Sequence, residues 1–457
     1  MAQQTTVNIA DVVENQENPW SGWFTFGTFA MCCLVMLVDG FNQQSLNASA
    51  PAIIQDWGIK PELMTYAFDI NIFGWMIGSV AFSMLADRIG RRRSILLAVF
   101  IFAVFTIALA FISNLIELSI IRFISALGVG GGMPMAISLV ADYSQQKSRG
   151  LKITLLYLGY TVGSAGVGVL AAALTKDYGW QSVFLTGGIV SLVIGFILVA
   201  ALPESVKYLV LNKGSQDRVL AYARQLKPSV TFAADTHFTI PETTRLGMPV
   251  THLFTEGRAA MTFFLWLALG FSFVTHFFLS AWIPTLFSKY SGLMEISQAQ
   301  LMGSLFQFGA AFAWGFGWLL DKRGLPIITW TMLLGALPVA ALGLTDFGTG
   351  VSIGFDLIAG ILVLSGGIAL NAVSGMVYPT FIRATGTGSA FAAARIGALI
   401  GPAIAGLLVA MKVPLHMIFL VGALPMLAAG AFTFMLERSM TPESAREMAS
   451  RSALARH

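Results

Sequence analysis

The sequence predicts an all-α integral membrane protein, twelve transmembrane helices in two six-helix, pseudo-symmetric bundles, and three observations carry that expectation. Of the 457 residues 56% are hydrophobic and 11% charged, with a mean hydropathy of +0.75. That is too little polar surface to cover a soluble globule of this size. Apolar runs about 20 residues long recur along the chain, enough at 1.5 Å per residue to cross a hydrocarbon core of about 30 Å. Strand-like alternation is absent, which argues against a barrel. Finally, a short Asp–basic–Gly motif recurs after the second and eighth runs.

The runs place helices 1 to 12 near residues 21–53, 62–86, 94–113, 115–140, 153–174, 182–202, 259–282, 297–320, 326–345, 353–376, 388–411 and 416–436. Around them the chain divides into an N-terminal tail (1–20), a first bundle (21–202), a central loop (203–258), a second bundle (259–436) and a C-terminal tail (437–457). The Lys and Arg residues sort between alternate loops. One set of loops and the C-terminal tail carry 21 of the 27, including Arg88, Arg91 to Arg93, seven from Lys207 to Arg258, Lys322, Arg323 and four from Arg438 onward. The other loops carry Lys60, Lys176, Lys289 and Lys412, and only Arg122 and Arg395 fall inside helices. The positive-inside rule then puts both termini in the cytoplasm of a multi-pass bacterial inner-membrane protein. Orientation accounts for the net charge of +4 without a nucleic-acid partner.

The first 20 residues hold Asp11, Glu14 and Glu17 and no basic residue, unlike a cleaved signal peptide. In helix 1, Cys32 and Cys33 are adjacent and read as small apolar packing residues rather than a disulfide or metal site. The same helix carries Asp39 in the run Leu37-Val38-Asp39-Gly40-Phe41-Asn42-Gln43-Gln44. A carboxylate at a helix centre costs roughly 2.5–3.5 kcal/mol on insertion scales, so a partner, a water-filled cavity or a bound proton must compensate it. Desolvation favours its protonated form and an approaching guanidinium its charged form, the property a proton-coupling site requires.

The repeat comprises Asp87-Arg88-Ile89-Gly90-Arg91-Arg92-Arg93 after helix 2 and Asp321-Lys322-Arg323-Gly324 after helix 8. Each follows a helix carrying Phe-Gly, at Phe73-Gly74 and Phe308-Gly309. Two related halves joined by a polar loop fit a rocker transporter. A Gly turn flanked by Asp and basic residues can latch helix ends through charge-assisted hydrogen bonds, so Asp87, Arg88, Gly90, Arg91, Arg92, Asp321 and Arg323 are the gating candidates.

These motifs resemble the helix 2–3 loop of the major facilitator superfamily and its second-half counterpart, which implies the major facilitator fold. Four further elements bring a finer resemblance, to the aromatic acid:proton symporter family. They are Asp39-Gly40-Phe41, Arg122-Phe123 with Gly128-Val129-Gly130-Gly131-Gly132-Met133-Pro134, Leu202-Pro203-Glu204-Ser205, and Ala394-Arg395-Ile396-Gly397 with Gly401-Pro402. That resemblance implies proton-coupled import of a benzoate- or hydroxybenzoate-like acid by alternating access. The chain departs from the family at Asn42, where a second carboxylate usually stands three residues after the first. An amide cannot carry a proton near neutral pH, which points to electroneutral symport of one proton with one monocarboxylate. Asn42, with Gln43, then reads as a polar substrate wall.

Arg122, one to two turns into helix 4, cannot deprotonate and must meet an anion. It is either a fixed structural pair or a partner exchanged among Asp39, Asp69 and the substrate. Asp69 in helix 2 either lines a vestibule or joins proton transfer. The glycine run of helix 4 has no preceding strand and no lysine in the phosphate-loop position, so it is a packing feature. Gly128 and Gly132 have the spacing of close transmembrane helix contacts, as do glycines of helices 5 and 11.

In the second half Arg395 can form two parallel hydrogen bonds to a carboxylate and is the principal substrate candidate. Its structural alternative, a pair with Asp356, is weakened because that residue falls toward the other end of helix 10. Phe273, Phe277, Gln307, Trp314 and Asn371 are candidates for sandwiching and hydrogen-bonding an aromatic ring. His276 reads as a core histidine, since no second ligand stands at metal spacing. The expected cargo is thus an aromatic carboxylate with a proton as coupling ion, with no cofactor, in a monomer whose other partners are membrane lipids. A symporter for sugar acids or other organic anions is the alternative within the superfamily. A membrane receptor or intramembrane enzyme has neither nucleophile–base pair nor sensor domain to support it.

Overall fold

The computed structural model describes residues 6–17, 22–212, 216–233, 236–239, 253–344, 348–378 and 383–440. The expected C-terminal tail beyond 440 and residues 240–252 of the central loop lie outside the described residues. The long helices are α1 (Trp23–Trp57), α2 (Met64–Ile89), α3 (Arg91–Ala108), α4 (Leu115–Asp142), α5 (Gln146–Tyr178) and α6 (Gln181–Ala201). Beyond the central loop follow α7 (Ala259–Thr285), the interrupted α8 (Ile296–Phe308 and Ala313–Arg323), α9 (Pro326–Ala341), α10 (Thr349–Ser374), α11 (Arg383–Ala410) and α12 (Leu415–Arg438). Among the described residues ten helices are long and apolar enough to cross a membrane, and α9 is apolar but shorter.

Two helices differ from the sequence expectation for identifiable reasons. An unbroken helix was expected over 297–320, but a 3-10 turn at Gly309–Phe312 divides α8. There the backbones of Gly309 and Gly360 pack so closely that neither position has room for a Cβ. In α7, Pro284 removes one amide from the ladder, and beyond it the chain continues as a π-turn, Leu286–Tyr290. Ends elsewhere are capped locally. Asn114 accepts from the Glu117 amide at 2.9 Å while Glu117 accepts from the Ser113 amide at 2.8 Å.

The chain packs as two compact units. One comprises Met1–Gln43, Phe73–Gly163 and Phe184–Arg245; the other Gln44–Ile72, Ser164–Val183 and Leu246–His457. The dividing points fall inside α1, α2, α5 and α6 rather than at the central loop. In the first unit a small parallel pair, β1 (Thr6–Asn8) and β2 (His237–Thr239), ties the N-terminal segment to the central loop. Gln16 adds a hydrogen bond to the carbonyl of Tyr143 at 3.2 Å.

Glycines set the closest helix contacts within each unit. In the first, a Cβ on Gly128 would meet the Ala98 carbonyl of α3 at 2.6 Å, and one on Gly159 would meet the Cys33 carbonyl of α1 at 2.7 Å. Gly132 stands at ordinary van der Waals distance from α1. In the second, Gly397 closes on Gly270 and Gly401 on the Val274–Phe278 backbone of α7. Trp266 and Trp282 donate across the same seam, to Ser389 and to the Pro402 carbonyl, each at 3.2 Å. Gly401→Val should therefore force α11 off α7, at about 1–3 kcal/mol for overpacking. The expected outcome is a lower melting temperature and lower monodisperse yield in detergent, read by fluorescence-detected size exclusion.

Candidate functional site

In the first unit α1 and α4 bring together Asp39, Asn42, Gln43 and Arg122, all buried, with Arg122 and Asn42 wholly so. Asp39 is seated beside α4 at Gly132, where a Cβ would lie 3.5 Å from Oδ1, an ordinary van der Waals contact. Arg122 donates from NH1 to Asn42 Oδ1 at 2.6 Å and from NH2 to the Asn42 carbonyl at 2.5 Å. Asn42 passes the chain on to Ser125 at 3.4 Å, and Ser125 meets Thr106 of α3 at 3.2 Å. Two of the oxygens that meet Arg122 thus belong to Asn42, the residue that departs from the family pattern. Asp69 belongs to the second unit, half-buried, with Oδ1 lacking a hydrogen-bond partner among the described residues.

The gating candidates of the first unit form one network at the basic end of the helices. Gly90 takes φ +98°, a conformation glycine adopts without strain, and a Cβ there would collide with the Glu204 carboxylate. Glu204 accepts from the Arg92 amide at 3.1 Å, at the N-terminus of α3 where a negative charge is favoured. The Arg92 side chain in turn donates to the carbonyls of Leu202 and Val199 at 2.7 and 2.6 Å. Asp142, ending α4, is compensated by Lys207 at 3.2 Å, Arg91 at 3.7 Å and the Ser205 hydroxyl at 2.6 Å. Burial, reinforced by Tyr222, Asp142 and Glu204, pushes the Tyr143 phenol well above its usual pKa, so it remains the donor to the Glu204 carbonyl at 2.5 Å. Asp87 and Arg88 are exposed, and the Arg88 carbonyl accepts from Tyr208 at 2.9 Å.

Within the second unit α7 presents Phe273, Phe277 and Ser280 on one face, four and three residues apart. Phe273 and Phe277 stack at 5.9 Å, His276 stacks on Phe277 at 4.7 Å and packs at 6.5 Å from Phe306 of α8. Gln307 donates to Ser280 at 2.5 Å, joining the amide to this aromatic face. Arg395 on α11 is half-buried, and Asn371 on α10 keeps a buried Oδ1 without a hydrogen bond among the described residues. Trp314 is 65% exposed, so it is not packed into this cluster as the sequence reading had it. In the second loop motif Lys322 lies 4.1 Å over the Trp318 ring and Arg323 is exposed; the Asp321 side chain lies outside the described residues.

Sequence reasoning missed a polar lock in the second unit, where the far ends of α1 and α5 meet α7 and α8. Gln300 donates to the Ala48 carbonyl at 2.9 Å and to Thr175 at 3.3 Å, and Lys289 donates to Gln55 at 2.6 Å. Gly168 closes on the Gln300 backbone, Phe68 of α2 meets Trp282 edge-on at 5.7 Å, and Gly406 of α11 closes on Thr65. No motif announces these partners, all but Lys289 uncharged. Asp142 had a signal, a carboxylate at a helix C-terminus that disfavours it.

The sequence model described as Major Facilitator Superfamily matches residues 32–381. The chain is 31% identical to a gallate transporter of Pseudomonas putida, over 93% of each chain. It is 31% identical to the 4-hydroxybenzoate transporter PcaK of Pseudomonas putida, over 81% of this chain and 83% of that one. It is also 27% identical to a benzoate transport protein of Acinetobacter baylyi, over 92% and 91%. Among solved structures, a bacterial homolog of the human lysosomal transporter Spinster, inward-facing and unoccupied, superposes with a TM-score of 0.72 at 17% identity, covering 92% of this chain and 98% of that one. The inward-open xylose transporter XylE from Escherichia coli gives 0.69 at 16% identity, over 90% and 96%.

Removing the Glu204 carboxylate strips the α3 amide of a buried acceptor, a loss of about 1–3 kcal/mol. Glu204→Ala should lower the melting temperature by several degrees, and Glu204→Gln, which keeps an acceptor oxygen, by less; differential scanning fluorimetry in detergent reads both.

Proposed function

The chain belongs to the Major Facilitator Superfamily, and from that premise we propose that it imports an aromatic carboxylate together with protons by alternating access. The observation that carries this reading is similarity along almost the whole length to transporters named for gallate, 4-hydroxybenzoate and benzoate. In this reading α8 and α9 complete twelve spans in two six-helix bundles. The basic loops lie in the cytoplasm with both termini, and the Gln300 lock closes the outer side.

Proton coupling is assigned to Asp39. The Arg122 guanidinium donates twice to Asn42, three residues along α1 from Asp39. Buried beside a glycine, Asp39 is costly when ionised and inexpensive when protonated. Arg395 is assigned to the substrate carboxylate, for which a planar guanidinium offers two parallel hydrogen bonds. The stacked Phe273 and Phe277 offer an aromatic ring offset contacts worth about 0.5–1.5 kcal/mol, and Gln307 and Asn371 offer hydrogen bonds to ring hydroxyls. Asn42 and Gln43 are the polar wall on α1. A bound anion neutralises Arg395 and a bound proton neutralises Asp39, so the doubly loaded protein encloses less uncompensated charge than either singly loaded form. That difference couples the two fluxes. The Asp87–Arg92 and Asp321–Arg323 loops are assigned to gating at the cytoplasmic side.

Uptake into proteoliposomes with an acid exterior, using labelled 4-hydroxybenzoate, benzoate and gallate, tests the reading. Wild type should concentrate at least one of them. Arg395→Ala should lose binding. Asp39→Asn should lower the accumulation ratio about tenfold per pH unit of gradient, the loss expected for one proton fewer. Accumulation by Asp39→Asn equal to wild type would move the coupling site elsewhere. Transport of a sugar acid in place of all three would leave symport standing and replace the substrate class.

A further inference from the structure

Helix α10 carries a single ionisable residue, Asp356, and it is 0% exposed. No side chain among the described residues hydrogen-bonds either carboxylate oxygen, and the polar group set against it is the backbone of Phe306. An ionised carboxylate in such a place would be uncompensated, and the group avoids the cost by holding a proton.

Its position on the helix shows what it faces. Asp356 and Gly360 are four residues apart, on one face of α10. Gly360 packs directly on the Phe306 backbone and against Gly309, where α8 is broken by its 3-10 turn. Asp356 therefore stands at the α8–α10 seam, one turn beyond the pivot and about 10 Å along the helix from Thr349. Mid-helix 3-10 segments often mark hinges. Two turns from Phe306 toward its start, α8 lines a cavity of about 590 Å³ with Ile296, Ser297 and Gln300. A tilt of α8 about Gly309 would open the seam and admit water to Asp356.

Few charged groups surround it. On α7 the titratable group near the seam is His276, whose ring packs on Phe306. The first segment of α8 and all of α9 contain no charged residue, and the second segment of α8 has Asp321, Lys322 and Arg323 at its far end. On α11 the charged residues are Arg383 and Arg395, both in its first half, the half away from the end where Asp356 sits on α10.

We propose that Asp356 is a second proton-binding site, filled and emptied once per cycle through the α8–α10 seam, so that two protons accompany each aromatic monocarboxylate. This rests on the import reading above and replaces the one-proton, electroneutral expectation drawn from Asn42. The second carboxylate absent from α1 then has its counterpart on α10. With two protons each cycle carries one net positive charge inward.

The test is voltage dependence without a pH gradient. Purified full-length protein in proteoliposomes, given an inside-negative potential of 100 mV by potassium and valinomycin, should concentrate the aromatic acid about 50-fold, the equivalent of about 2.3 kcal/mol per charge. Asp356→Asn should respond to the pH gradient alone and show no accumulation driven by voltage, while its substrate counterflow remains. Asparagine is the uncharged isostere of the protonated acid, so a variant that loses counterflow marks Asp356 as structural and overturns the proposal. So does a wild-type protein that transports the acid with no voltage response, or a variant that keeps the whole response. Failure of wild type to move any aromatic acid would instead sink the import reading.

Discussion

A guanidinium enclosed in a helix bundle must be met by oxygen, and in the first unit that requirement is fulfilled by Asn42. Two hydrogen bonds from Arg122 tie α4 to the middle of α1, and the same asparagine continues to Ser125 and to Thr106 on α3. Three helices are fixed around one buried cation, and Asp39 is placed on α1 one turn away. Gly128 of α4 lets α3 approach, since a Cβ there would meet the Ala98 carbonyl at 2.6 Å. The arginine is expensive in hydrocarbon, so the surrounding structure is arranged to hold it still.

The helices were legible because hydrophobic length and the sorting of Lys and Arg are properties of the chain alone. Most predicted ends fall within a few residues of the observed ones, even where helices run on past the apolar core, as α1 does to Trp57 and α5 from Gln146. The break in α8 was not legible. Gly309 reads as one more glycine in an apolar run, and its effect arises from Gly360, 51 positions away, which no local pattern connects to it. The division into two units was hidden for the same reason, since it rests on contacts of α1, α2 and α5 ends with residues beyond 245.

Site residues divide in the same way. Asp39, Arg122 and Asn42 were readable because charge and amide inside an apolar run are rare and have to be compensated. Phe273 and Phe277 were drawn from a crowd of aromatics, and the α7 periodicity gathers them on one face with Ser280, to which Gln307 of α8 donates. Trp314 came from the same crowd but lies on the second segment of α8, past the break, where its ring is exposed. The Glu204 network was half visible: its residues stood in quoted motifs, but their partners come from four separate segments.

Substituting an amide for a carboxylate at position 42 changes more than a count of protonatable groups. A carboxylate paired with Arg122 would lose its partner's attraction whenever it took up a proton, so the α1–α4 contact would loosen during each cycle. Asn42 offers two oxygens whose charge does not vary with pH, and the contact becomes permanent. Under the import reading, such a contact keeps α1 and α4 together there and leaves the proton to Asp39. Any further proton must then be carried on a helix outside this rigid set. The proposed site at Asp356 meets that condition, because its seam is built from α8 and α10 at the 3-10 break of α8. Fixing one interface and leaving another hinged confines the charge-dependent motion to the element that can bend.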